Sequence, residues 1–162
     1  MRLREIQDGR GRVLVVACEK GDDPVRTVTA AARAVGIAGA QVTGVGGLRA
    51  AELGYFDPDR RDYTRIPVTE QVEVLSFVGD VAMSAGEPRL HVHAVLGRRD
   101  GSAIGGHLLG GEVWPILEVI VTEVAPALAK RLDPETGLAL LAPEGVPEGA
   151  LTPHGPGWST HG

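Results

Sequence analysis

Three of the five histidines in this chain, His91, His93 and His107, fall within 17 residues. The segment Arg89-Leu90-His91-Val92-His93-Ala94-Val95-Leu96 alternates in character as a β-strand does. Residues two apart on a strand share a face, so His91 and His93 project together, about 6–7 Å apart at their α-carbons. Leu90, Val92 and Ala94 then line the opposite face as core. Gly97-Arg98-Arg99-Asp100-Gly101-Ser102 reads as a hairpin connection, and the returning strand carries Ile104-Gly105-Gly106-His107-Leu108-Leu109. If the hairpin centres on Asp100, His93 lies directly opposite His107 on the same face, with β-carbons about 4.5–5.5 Å apart. A two-residue turn at Asp100-Gly101 would put His107 on the other face, so a shared site requires an odd-length loop or a bulge. Neutral imidazole is the commonest metal ligand near neutral pH, and three of them on one face form a candidate metal site. Gly105 and Gly106 are expected to leave room there for a ligand or another subunit. His154 and His161, further along the chain, are not read as ligands.

Two uses of such a site remain open, and the sequence does not decide whether the chain is an enzyme. A closed four-ligand zinc would be structural, in an assembly or regulatory module. Three histidines with an open fourth position form the ligand pattern of a catalytic zinc acting on a small molecule. That reading needs a nearby acid or base; Glu112 and Glu118 are candidates by sequence proximity alone, and catalytic residues are otherwise unassigned.

The elements that must position the histidines follow from the pattern around them. Residues 12–19 read as a β-branched strand bounded by glycines. Asp23-Pro24 is a helix start, with Asp23 as cap and Pro24 in the first turn. Val25, Val28, Ala32 and Val35 fall on one helical face, and Gly36 is placed to end the helix in a left-handed conformation. A second strand is expected at 37–45, giving a strand–helix–strand opening. Gly44, Gly46 and Gly47 then read as a flexible corner. Short strands are expected near 50–57, 63–68, 71–84, 89–97, 103–109 and 112–124, separated by turn residues. Strands this close, without helices between them, pair mostly antiparallel, which makes the class α+β. Residues 125–132 could supply one helical turn and 137–141 a last strand. The stretch from Pro143 onward is rich in Pro and Gly, lacks periodicity and is expected to be mobile.

Composition bounds the remaining function classes. The 162 residues favour one domain, with 43% hydrophobic and 23% charged residues but only 4% aromatics, so Val, Leu, Ile and Ala must build the core. The formal net charge of −5 argues against a large nucleic-acid footprint. Arg60, Arg61 and Arg65, and Arg98 with Arg99, read as solvated loop charges. The single cysteine, Cys18, excludes an intramolecular disulfide and is expected buried in its strand. Thr43-Gly44-Val45-Gly46-Gly47 lacks the Lys-Ser/Thr of a phosphate loop, and a strand bend accounts for its glycines. Arg10-Gly11-Arg12 resembles an AT-hook core but runs straight into a strand. No Gly-x-Ser-x-Gly elbow is present. There is no apolar signal region after Met1 and no stretch of about 18–20 apolar residues, so a cytoplasmic protein with no membrane partner is expected.

Several segments, taken together, resemble the PPC (plants and prokaryotes conserved) domain in its stand-alone prokaryotic form. They are Val42-Thr43-Gly44-Val45-Gly46-Gly47-Leu48, Leu53-Gly54-Tyr55-Phe56-Asp57 and Glu73-Val74-Leu75-Ser76-Phe77-Val78-Gly79-Asp80, with His91-Val92-His93-Ala94-Val95-Leu96 and Gly105-Gly106-His107-Leu108-Leu109-Gly110-Gly111-Glu112-Val113 the most specific. The resemblance covers about residues 5–141. It implies a single compact domain with a curved, mainly antiparallel sheet; with the one principal helix and the Pro/Gly-rich end read above, this gives an α+β domain over 1–141 and a C-terminal tail at 142–162. It also implies a homotrimer, and zinc held by His91, His93 and His107. In land plants the domain follows AT-hook segments in nuclear DNA-binding proteins, so DNA enters as a partner by resemblance. This chain departs from that pattern: it has no hook, and its net charge is negative.

Overall fold

The computed structural model describes residues 1–7, 9 and 11–143. Nine strands and one helix follow in the order β1 (Arg2–Gln7), β2 (Arg12–Glu19), α1 (Pro24–Ala34), β3 (Gly39–Asp57), β4 (Asp62–Val68), β5 (Val72–Ser84), β6 (Glu87–Gly97), β7 (Ala103–Glu123), β8 (Ala129–Leu132) and β9 (Ala139–Ala142). The class is α+β, with all strands in one sheet. The pairings are antiparallel except for the parallel contact of β5 with β8 at Met83 and Ala129.

The sheet's curvature follows from its connectivity. β3 pairs with β5, β5 with β6, β6 with β7, and β7 with β3. Four strands cannot pair in a closed circuit while lying flat, so the sheet must curl around its apolar side. That side holds Val16, Val42, Leu53, Phe77, Val92, Leu96 and Val121, each at most 1% exposed. Glycines at the tightest crossings make the curl feasible. A β-carbon at Gly79 would lie 1.9 Å from the carbonyl oxygen of His91, and one at Gly46 or Gly47 would lie 2.3 Å from the carbonyl of Ile116 or Trp114.

The opening strand, helix and second strand are β2, α1 and β3. Asp23 caps α1 by accepting from Arg26 N at 2.9 Å, and its other carboxylate oxygen accepts from Gly111 N of β7 at 3.3 Å. One residue therefore both starts the helix and ties it to the sheet. Gly36, at φ +71°, follows the helix end as expected. Val28, Ala31 and Ala32 seat the helix in the core. Cys18 is buried, and burial pushes its thiol up to about 12.

Several sequence expectations are corrected. The glycine corner at 44–47 is no break: β3 runs through it, with a register shift between Gly44 and Gly46. The close crossing over β7 demands glycine there without ending the strand. Likewise Gly110-Gly111 is no turn, because β7 is continuous from Ala103 to Glu123 and absorbs these residues as irregularities against β3. The helical turn considered within 125–132 is replaced by β8, whose backbone pairs with β9. β1 is a further strand that the sequence pattern did not indicate; it is exposed along its length, Leu3 and Ile6 included, and pairs with β2. Arg12 begins β2, where its guanidinium meets Glu5, Glu123 and the Val35 carbonyl. Arg10, His154, His161 and the segment from 144 onward lie outside the described residues.

Candidate metal centre

The β6–β7 hairpin has the odd-length connection that a shared histidine face requires. Gly97 pairs with Ala103, which leaves the five residues 98–102 as the loop, and the register then places His93 opposite His107. Asp100 stabilises this loop by accepting from the backbone N and the hydroxyl of Ser102 at 2.9 and 2.6 Å. His91 is one pleat further along β6.

The three histidines converge. Their rings form a nearly equilateral triangle, with centroids 5.3 Å apart for His91–His93, 5.1 Å for His91–His107 and 5.4 Å for His93–His107. One potential ligand nitrogen from each lies within 4.8 Å of the other two. Imidazoles bound to one tetrahedral ion at about 2.0–2.1 Å would have ring centres about 5 Å apart, so the triangle has the required size.

The electrostatics favour neutral, ligand-competent rings at His93 and His107. Desolvation, with the neighbouring His91, His93 and Lys130 adding to it, lowers the His107 pKa from 6.5 to about 4. Desolvation and His91 lower that of His93 as well. Nδ1 of His107 is buried and has no hydrogen-bond partner among the described residues. A buried polar atom left in that state costs about 1–3 kcal/mol, and coordination of an ion is one way to satisfy it. The donor set and its geometry therefore fit a divalent first-row metal.

Other elements complete the surroundings. Asp80 on β5 pairs with His91 across the strands, and its Oδ2 lies 3.2 Å from His91 Nδ1. Its Oδ1 lies 2.9 Å from Nζ of Lys130, a side chain only 7% exposed on β8. Burial raises the Asp80 pKa, but the bonds with His91 and Lys130 outweigh it and hold the carboxyl below its ordinary value. Tyr63 on β4 lays its ring over His107 at 4.7 Å between centroids. Gly54, paired with His107, makes this possible: a β-carbon there would meet Tyr63 Cδ1 at 2.7 Å.

Asp80, Lys130 and Tyr63 escaped the sequence reading because they come from three other strands. The local signals were faint: an aspartate inside an apolar strand, and a lysine in a short segment with no clear pattern. The candidates Glu112 and Glu118 are not brought to the histidines. Glu112 pairs with Arg49 at 3.1 Å. It sits five residues beyond His107 on β7, about 16 Å by strand rise. Glu118 is exposed and further still along the strand. The space expected at Gly105-Gly106 is also partly filled. A β-carbon at Gly106 would lie 2.9 Å from the Gly54 carbonyl oxygen, whereas Gly105 is exposed beside Val95.

Fold and site together define a curled α+β domain that presents a facial three-histidine cluster. The model of the Plants and Prokaryotes Conserved (PCC) domain, the PPC domain of the resemblance, matches residues 6–125, and the chain belongs to that family. Solved structures agree. A metal-containing protein of Archaeoglobus fulgidus is 33% identical with a TM-score of 0.75, over 82% of this chain and 94% of that one. A plant- and prokaryote-conserved protein of Pyrococcus horikoshii is 28% identical with a TM-score of 0.77, over 87% and 94%. A protein of Ralstonia eutropha JMP134 described as a candidate DNA-binding protein is 27% identical with a TM-score of 0.75, over 85% and 94%. No curated protein matches the chain. Among the described residues no helix is long and apolar enough to cross a membrane.

Proposed function

We propose that this chain is a metal-binding assembly or regulatory module of the PPC family, in which His91, His93 and His107 hold zinc within a homotrimer. The observation that carries the metal reading is the ring triangle at 5.1–5.4 Å, built from three imidazoles on one sheet face. Zinc suits an all-imidazole donor set with tetrahedral geometry. The similarity to a metal-containing protein supports it.

The module reading, rather than a zinc-dependent enzyme acting on a small molecule, draws on where the site lies. His93 is exposed, and the outer face it shares carries Val78 and Val95, 51% and 41% exposed. Val78 pairs with His93 itself, and Val45 and Ile120 continue the same apolar face at 55% and 39%. Neighbouring copies of this chain would cover that surface. Residues 1–141 are the functional unit in this reading, and 142–162 are its tail. DNA binding, named in the descriptions of two similar structures, suits this chain less well. Several arginines are committed to carboxylates, among them Arg33 to Glu87, Arg65 to Glu52 and Arg98 to Glu70, and the formal net charge is −5.

Metal analysis of protein purified without added metal, beside His93→Ala, tests the site. The reading expects zinc in the wild type and its loss in the variant. Wild-type protein without metal would remove it. Sedimentation of the same samples tests the trimer, and a monomer would refute that part.

A further inference from the structure

We infer that Asp80 and Lys130 act as a positioning pair for His91, with Asp80 fixing the ring's tautomer and orientation and Lys130 fixing Asp80. The inference rests on the metal reading above and names residues outside its ligand set. Each link is a short contact between different strands: His91 Nδ1 to Asp80 Oδ2 at 3.2 Å from β6 to β5, and Asp80 Oδ1 to Lys130 Nζ at 2.9 Å from β5 to β8.

The chemistry follows from the donor inventory. A carboxylate only accepts, so the ring nitrogen facing it carries the hydrogen and donates. Nδ1 of His91 is therefore the protonated nitrogen, and Nε2 keeps its lone pair for an ion. Without Asp80 the ring is free to rotate and to exchange tautomers, and half of those arrangements withdraw the lone pair. The carboxylate also makes the imidazole a better donor.

Lys130 is buried where its ammonium meets Asp80. Its side chain is 7% exposed, and a buried ammonium is costly unless it is paired. It reaches the site because β8 docks on β5 where Met83 meets Ala129, three residues past Asp80. The β8–β9 hairpin is thereby coupled to the histidine cluster.

The experiment measures zinc affinity of the full chain by competition with a chromophoric chelator. It compares wild type with Asp80→Asn, Asp80→Ala, Lys130→Met and the double variant Asp80→Ala/Lys130→Met. Loss of such a carboxylate partner weakens metal binding by about 10- to 100-fold. Asp80→Ala is expected in that range, and Asp80→Asn, which keeps an acceptor for Nδ1, between it and wild type. In Lys130→Met, loss of the support for Asp80 and loss of a cation that acts on His107 oppose each other in affinity, so Lys130 is judged by the cobalt(II) bands: they are expected to shift, and unchanged bands would remove Lys130 from the pair. Asp80→Ala leaves the lysine buried and unpaired, so lower stability is expected there. The double variant removes both charges, and it should regain stability in urea while its zinc affinity stays low. Affinity that returns with stability would make Asp80 purely structural and overturn the inference. The ligand-field bands of the cobalt(II) form are expected to shift in Asp80→Ala, and unchanged bands would also count against it. A wild type that binds no zinc refutes the metal reading, and the inference falls with it. Wild-type binding matched by Asp80→Ala refutes the inference alone.

Discussion

Gly79→Ala is a one-carbon change whose sign separates this structure from generic strand behaviour. Inside a strand, glycine is usually a weakness, and alanine gains about 0.5–1 kcal/mol from the smaller entropy lost on folding. Here the added β-carbon would sit 1.9 Å from the carbonyl oxygen of His91 and 2.8 Å from the α-carbon of Val92. Both are backbone atoms, so no rotamer change relieves the clash. The β5–β6 pair must open by about 1 Å or more to restore van der Waals contact. Opening stretches the ladder bonds on either side and costs about 2–4 kcal/mol, several times the entropic gain and of opposite sign. With a urea m-value of about 1–3 kcal/mol/M, the midpoint should fall by about 1–2 M. The displaced residue carries His91, so zinc affinity should fall in the same variant. Gly105→Ala is the milder comparison, because its β-carbon would meet the Ala94 carbonyl oxygen at 3.1 Å. A Gly79→Ala midpoint at or above wild type would refute the close β5–β6 crossing and the sheet curvature argued from it.

Two other outcomes follow from the surroundings of His107. Its pKa is depressed from 6.5 to about 4, so the unfolded chain binds more protons between those values, and stability present above pH 6.5 is lost as pH falls toward 4. The full shift would correspond to about 3 kcal/mol. Partial solvent exposure reduces this to about 1–2 kcal/mol, measurable by urea unfolding of metal-free protein at pH 7.5 and pH 5 and flattened in His107→Gln. Stability that rises on acidification across this window would contradict the assignment. Tyr63→Ala removes the ring packed on His107 and the side chain that fills the space above Gly54. It should cost about 1–3 kcal/mol, and the His107 imidazole titration followed by NMR should move up toward 6.5; an unmoved titration would show that Tyr63 does not shield the ring.

The sequence by itself determined the helix, most of the strands and the face that His91 and His93 share. Period-two alternation around His91 and His93 fixed their shared face, because a strand's side chains alternate whatever surrounds it. Whether His107 joined that face depended on the length of the hairpin loop, which the structure decided: residues 98–102 form the loop and His93 pairs with His107. The helix start at Asp23-Pro24 was likewise legible in the cap itself. Local patterns could not say whether glycines at 44–47 and 110–111 end a strand or let one pass close beside another. That depends on which backbone crosses there, and only the tertiary structure supplied Ile116, Trp114 and Ala50 as the neighbours. The same limit hid Asp80, Lys130 and Tyr63, which meet the histidines only because the sheet curls and β8 docks on β5. The chain pattern places two imidazoles on one face; the hairpin loop brings the third to it, and the closed circuit of strands decides how far apart they stand and what holds them there.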